Sequence, residues 1–189
     1  MTGWTAIVPI KAVGRRKTRL AAHLSAIGRE ELVENLFYHV VQTLQACAAV
    51  TRIIVLSEGP MLMAGLEWIA DKGGGLNAEL ERARHAAGQV PQLIIHADLP
   101  LLTVADVDHF LRLGAGQSAI APDRAAIGTN ALALGSGNPF TLCFGPGSFQ
   151  RHCEQAPGAV IVRDRQGLSL DVDEAEDLQQ AIRLGFSGQ

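Results

Sequence analysis

Long apolar runs are missing from this sequence: no stretch approaches the ~18 consecutive apolar residues that a membrane-spanning helix needs. Cysteine is scarce, and Cys47, Cys143 and Cys153 are odd in number and lack metal-ligand spacing. That pattern argues against a disulfide framework and fits a reduced, cytoplasmic setting. The start, Met1-Thr2-Gly3-Trp4, leads straight towards a strand without the apolar core of a signal peptide. Basic charge is not in excess, with 16 Lys and Arg against 19 Asp and Glu and a net charge of -3, so a general nucleic-acid binder is not expected. Familiar catalytic signatures are absent too. There is no Gly-x-Ser-x-Gly elbow for a serine nucleophile and no Gly-x-x-x-x-Gly-Lys phosphate loop, and the first strand is not followed by Gly-x-Gly-x-x-Gly. The six histidines (His23, His39, His85, His96, His109, His152) form no ligand pair with Asp or Glu at a useful spacing. Internal repeats and low-complexity linkers are also lacking. A chain of 189 residues, 48% hydrophobic and 19% charged, is then expected to form a single globular domain over residues 1–189.

What is present alternates between short apolar runs and amphipathic stretches. Leu93-Ile94-Ile95 reads as a strand buried on both faces of a parallel sheet, followed by His96-Ala97-Asp98 and stopped by Pro100. In open α/β sheets ligands collect at the carboxyl ends of strands. Asp98 is therefore either a ligand for a divalent cation or a turn aspartate. Thr5 to Pro9 predicts the first strand, and the stretch Lys11 to Leu20 behind it carries Lys11, Arg15, Arg16, Lys17 and Arg19. Overhanging the sheet's carboxyl edge, such a loop suits a phosphate grip, since Arg and Lys neutralise phosphate oxygens. A solvated charge run is the alternative.

Leu32, Leu36, Val40 and Leu44, four apart, predict a helix over Arg29 to Ala46. Arg52 to Leu56 predicts a second strand, Met61 to Leu66 a short helix and Glu67 to Ala70 a brief strand. Gly73-Gly74-Gly75-Leu76-Asn77 opens a helix running to about Ala87. Its glycines permit close approach to a flat or anionic ligand, and Asn77 either presents its amide to a base edge or caps the helix. Thr103-Val104-Ala105-Asp106 is a capping-box variant that starts a helix with Val107, Phe110 and Leu111 turned inward. Ser118 to Ala121 and Ala131 to Leu134 predict strands, with Pro122-Asp123-Arg124 and Gly128-Thr129-Asn130 between them. Phe144-Gly145-Pro146-Gly147-Ser148-Phe149 leads into a helix from Ser148 to Gln155, as an anion cup or as an ordinary Gly-Pro turn with a serine cap. Ala159 to Val162 and Leu168 to Leu170 predict the last strands, before a helix from Ala175 to Leu184. Strand residues two apart share a side, so Asp171 and Asp173 converge on one ion, or Asp173 caps the last helix while Asp171 is solvated.

Six motifs in this order carry a closer likeness. They are Val8-Pro9-Ile10-Lys11 with Lys17-Thr18-Arg19-Leu20, Gly75-Leu76-Asn77, Asp98-Leu99-Pro100-Leu101-Leu102, Ala121-Pro122-Asp123-Arg124 with Gly128-Thr129-Asn130-Ala131-Leu132, the Phe144–Phe149 turn, and Leu170-Asp171-Val172-Asp173. Together, from Thr5 to Leu184, the chain resembles the 2-phospho-L-lactate, phosphoenolpyruvate or 3-phospho-D-glycerate guanylyltransferases of deazaflavin coenzyme F-420 biosynthesis. The resemblance implies an α/β fold, a three-layer Rossmann-like mixed sheet of the nucleotide-diphospho-sugar transferase type. It implies GTP as donor, a small phosphorylated three-carbon acid as acceptor, and magnesium (Mg2+). By motif position Asp98, Asp171 and Asp173 become metal ligands. Lys17, Arg19 and Asp98 become catalytic residues, and Pro9, Lys11, Lys17, Arg19, Gly75 and Asn77 become nucleotide-binding ones. Thr129, Gly145 and Ser148 become acceptor-binding. A short Ser57–Gly73 connection and Ala125-Ala126-Ile127 in place of glycines depart from the family pattern and leave acceptor choice open. No nucleic-acid or membrane partner is implied, and a homodimer is a possible assembly. The competing readings are another nucleotidyltransferase, cytidylyl- or molybdenum-cofactor-type, and a non-catalytic nucleotide-binding module.

Overall fold

Apolar runs too short for helices pair into a sheet, and the amphipathic stretches between them are long enough to cover its two faces. A computed structural model of the chain describes residues 3–10, 17–60 and 63–187. Its elements are β1 (Trp4–Pro9), a 3-10 turn (Thr18–Ala22), α1 (Ala26–Ala46), β2 (Val50–Ser57), β3 (Glu67–Ala70), α2 (Leu76–Ala87) and β4 (Gln92–Ile95). There follow α3 (Val104–Gly114), β5 (Ser118–Pro122), β6 (Thr129–Leu134), α4 (Ser148–Gln155), β7 (Val160–Ile161), α5 (Gln166–Ser169) and α6 (Ala175–Arg183).

The strands form one mixed sheet in the order β3-β2-β1-β4-β6-β5-β7. β4 runs parallel to β1 but antiparallel to β6, and β5 returns antiparallel to β6. Alternation along each strand divides the core between the faces. Ala6, Val8, Leu93 and Ile95 pack with Phe37, Val40 and Leu44 of α1 and with Phe110 and Leu111 of α3. Ile7, Ile54, Ile94 and Leu132 pack on the other side with Leu80 and Ala83 of α2 and Phe149 of α4. A third cluster joins Leu20, Leu32 and Leu36 to Leu170, Val172 and Ala181, tying the start and the end of the chain together.

The Thr103–Asp106 capping box is formed in full, and Ser25 caps α1 by accepting from Gly28 N at 3.0 Å, one turn before the expected start at Arg29. Three expectations are corrected. Met63 to Leu66 is a turn, not the end of a helix; Met61 and Leu62 lie outside the described residues. Leu168 to Leu170 is no strand, because Gln166–Ser169 coils into α5. Gly167 makes that packing possible, since a Cβ there would come within 2.7 Å of the Leu101 carbonyl oxygen. Pro122, expected to end its strand, is the last residue of β5, at a register shift where the ladder is already interrupted.

Candidate active site

At the carboxyl end of β4 the chain leaves the sheet through His96 and Ala97 to Asp98. The extended segment 171–173 runs alongside, held by the Val172 N–H donating to the Asp98 carbonyl at 3.1 Å. The strand alternation expected for Asp171 and Asp173 is corrected, since neither lies in a strand, yet an extended backbone still sends residues two apart to one side. One carboxylate oxygen from each of Asp98, Asp171 and Asp173 lies within 4.8 Å of the others. Neither aspartate of the pair caps α6: the N-cap is Glu174, in a reciprocal box with Asp177.

Three carboxylates this close repel one another. Lys17 relieves part of that repulsion, with its ammonium 2.5 Å from Asp98 Oδ2 and 3.1 Å from Asp173 Oδ1. Burial works against its charge, but Asp98 and Asp173 outweigh burial and hold the Lys17 pKa above its ordinary value. Lys17 itself sits in the left-handed region at φ 48, at the entry to the 3-10 turn. Among the described residues no cation pairs with Asp171 in this way. Burial first, then the charges of Asp98 and Asp173, push its pKa up to about 7, against the opposing hydrogen bond from Asn130. The Asn130 amide, buried at the start of β6, donates to Leu168 O at 3.1 Å and Ser169 O at 3.2 Å and reaches Asp171 Oδ1 at 3.4 Å. An all-oxygen, three-carboxylate set suits a hard divalent cation.

A cleft beside this cluster is lined by Pro9, Lys17, Leu76, His96, Asp98, Gly145 and Asp173, among others. Of the residues singled out in the sequence, Pro9, Lys17, Asp98, Gly145 and Asp173 thus share one cavity wall. Arg19 stays outside, largely exposed and paired with Glu174 at 3.1 Å. Lys11, with Arg15 and Arg16, lies outside the described residues. Gly75 is the N-cap of α2 at φ 92, a conformation that costs glycine little. Asn77 is therefore not the cap. Its amide clasps the backbone of Phe144, donating to the carbonyl at 3.0 Å and accepting from the N–H at 2.7 Å. That clasp takes up the groups expected to face a base.

Thr129 and Ser148 come together where β6 begins and α4 starts, the Ser148 hydroxyl donating to Thr129 Oγ1 at 3.2 Å, and both are buried. Ser148 is the first residue of α4, not its cap, which is Gly147. The expected anion cup at this helix start is partly closed. Ser148 N–H donates to Gly145 O at 2.9 Å and Phe149 N–H to Ile127 O at 3.2 Å. Sequence reasoning missed Asn130 and His152 as individual residues. Asn130 had a signal, its place inside the Gly128-Thr129-Asn130 motif; His152 had none.

Against this geometry the likenesses to known proteins are decisive. The family model described as "Guanylyl transferase CofC like" matches residues 4–187. This chain belongs to the CofC-like guanylyl transferase family. Its reaction is accordingly the transfer of a guanylyl group. A phosphoenolpyruvate guanylyltransferase of Rubrobacter xylanophilus is 38% identical over 196 residues, covering 97% of this chain and 94% of that protein. The CofC-like chain also shares its fold with a putative nucleotide-diphospho-sugar transferase from Desulfovibrio desulfuricans G20. That match has a TM-score of 0.73 at 16% identity, over 99% of this chain and 89% of the other. Rv0371c of Mycobacterium tuberculosis H37Rv, solved as a complex with manganese, matches with a TM-score of 0.59 at 12% identity, over 97% and 99% of the two chains. The mixed, helix-covered sheet is thus the nucleotide-diphospho-sugar transferase type of α/β fold.

Proposed function

We propose that this CofC-like transferase moves GMP from GTP to the phosphate of a small phosphorylated three-carbon acid, releasing pyrophosphate, in coenzyme F-420 biosynthesis. The observation that carries the reading is the meeting of Asp98, Asp171 and Asp173 within 4.8 Å at a cleft also lined by Lys17 and Gly145. In this reading the three aspartates hold magnesium, which when bound supplies positive charge between two anionic substrates. Support for a divalent ion comes from the carboxylate chemistry and from a protein of the same fold solved with manganese. Pro9, Lys11, Lys17, Arg19 and Gly75 take the nucleotide, Asn77 supports that side by holding the Phe144 backbone rather than a base, and Thr129, Gly145 and Ser148 take the acceptor. Residues 1–189 act as one domain, in the cytoplasm, with a homodimer as a possible assembly.

The acceptor's phosphate oxygen is already ionised near neutral pH, so no side chain has to remove a proton. That oxygen attacks the α-phosphorus of GTP in line; a new P–O bond forms, the bond to the β-phosphate's bridging oxygen breaks, and pyrophosphate leaves with the electron pair. Catalysis then rests on positioning and charge. Lys17, held by two carboxylates, is the cation that lines the cleft among the described residues.

A pyrophosphate-release assay tests the reading. GTP and magnesium are supplied with phosphoenolpyruvate, 2-phospho-L-lactate or 3-phospho-D-glycerate, with CTP in parallel. Release with GTP and one of the acids is the expected result. Release with CTP alone would assign the chain a different base, and nucleotide binding without release from any acid would make it a binding module.

A further inference from the structure

His152 lies on α4, away from the acidic cluster and fully buried, and the mechanism above makes no use of it. Its imidazole is nevertheless bonded on both sides. The Cys143 backbone N–H donates to His152 Nε2 at 3.1 Å. A nitrogen that accepts carries no proton, so the neutral ring has its hydrogen on Nδ1. Nδ1 lies 3.0 Å from Thr129 Oγ1 and donates to it. The Ser148 hydroxyl also donates to that oxygen, at 3.2 Å. With two hydrogen bonds received, Thr129 has its own hydroxyl hydrogen left to give.

The surroundings keep the ring in that state. Phe140 and Phe144 pack against it with centroids 5.4 and 5.1 Å away. Burial first, then the charges of Arg151 and His96, lower its pKa to about 4. The segment it braces pairs with no other strand among the described residues. Side chains bond its backbone instead: Glu81 at Leu142, Asn77 at Phe144, and Gln155 at Thr141. Among these anchors, His152 also reaches β6, at Thr129. Gly145 lines the cleft and its carbonyl accepts from the Ser148 N–H, so Ser148, with Thr129 bonded to it, sits one hydrogen bond behind the cleft lining.

We propose that His152 is a positioning residue for the acceptor. Its Nδ1–H orients the Thr129 hydroxyl as a donor to the acid's anionic group, while Nε2 fixes the backbone that leads to Gly145. An anion accepts hydrogen bonds and offers none, so the direction of Thr129's hydroxyl decides whether that residue attracts it or repels it. The inference rests on the acceptor reading of Thr129, Gly145 and Ser148, and it adds the residue that sets their polarity.

Two isosteric substitutions separate the two halves of the ring. In His152→Asn an amide N–H stands near the position of Nδ1; in His152→Gln the amide oxygen stands near that of Nε2 and still accepts from the Cys143 N–H, with no donor left for Thr129. Steady-state guanylyl transfer is measured with each substrate varied in turn. His152→Gln raises the acid's KM about tenfold, about 1.4 kcal/mol, with the KM for GTP unchanged. His152→Asn keeps the acid's KM within about threefold of the parent's, by preserving the donor. Thermal unfolding checks that both variants fold. A long-range nitrogen NMR spectrum of the parent protein should show His152 protonated on Nδ1 alone. Equal KM values for the two variants, a matching rise for GTP, or the opposite tautomer would overturn the inference. If the parent protein transfers GMP to none of the acids, the acceptor reading fails first and this inference falls with it.

Discussion

The two walls of the candidate site, an acidic one at the cleft and a neutral one packed behind Gly145, are built on opposite principles. On one side Asp98, Asp171 and Asp173 crowd like charges together, and Lys17 balances only two of them. On the other, Thr129, Ser148 and His152 are neutral, buried and bonded to one another. In the acidic wall burial first, then the charges of Asp98 and Asp173, raise the Asp171 pKa, and three carboxylates this close suit a cation between them. The neutral wall is organised before any ligand arrives. A transferase of two anionic substrates needs both: movable positive charge where they meet, and fixed donors where one of them is to be recognised.

Substitutions that strip each wall should therefore behave differently. The largest effect belongs to Asp98→Asn, which keeps the side chain's shape while removing a charge from the cluster. Guanylyl transfer should fall by at least about a thousandfold, with thermal unfolding nearly unchanged; near-parental turnover in a folded variant would refute the role of the cluster. Next comes Lys17→Met, which leaves Asp98 and Asp173 without their counter-charge. Metal-free protein should lose about 1–3 kcal/mol in chemical unfolding, less than for a fully buried pair because Asp173 is about half exposed. Excess magnesium should recover most of that loss, and an equal loss with and without metal would show that Lys17 does not compete for a cation site.

The neutral wall responds to pH. His152 is held neutral in the folded state, with its pKa lowered to about 4, whereas an unfolded histidine takes up a proton near 6.5. The unfolded chain thus binds the extra proton between these values. Stability should fall as pH drops from about 6.5 towards 4, by at most about 1.4 kcal/mol per unit from this group. His152→Gln should flatten that part of the profile in a denaturant series, and an unchanged slope would contradict the neutral ring. The smallest effect is expected of Arg19→Ala. Its exposed pair with Glu174 contributes no more than about 1 kcal/mol to stability. A raised KM for GTP with an unchanged midpoint would mark it as a ligand-binding group at the rim.

Some of this was legible along the chain because it depends on near neighbours. The Thr103–Asp106 box and the inward Phe110 follow from spacing within a turn or two, and both are formed. The short run Leu168 to Leu170 was misread because three apolar residues have no period, and packing at Gly167 decides between strand and helix. Asn77 looked like a cap or a base reader. Its use as a backbone clasp depends on Phe144, which local sequence does not bring near. The Asp-x-Asp pair was found through an assumption about a strand that proved wrong, and it survived because extended backbone has the same two-residue alternation.

By itself, then, the chain determined its strands and helices in outline, Asp98 at the end of a buried strand, and a family likeness carried by six ordered motifs. Only the tertiary structure decided that Val172 lies on Asp98, gathering three acids around Lys17, and that His152 lies on Thr129. Periodicity is a local property, set by backbone geometry every two or 3.6 residues. Contacts between distant segments follow instead from the order in which strands pair, and that order is selected by burying both faces of the whole sheet at once.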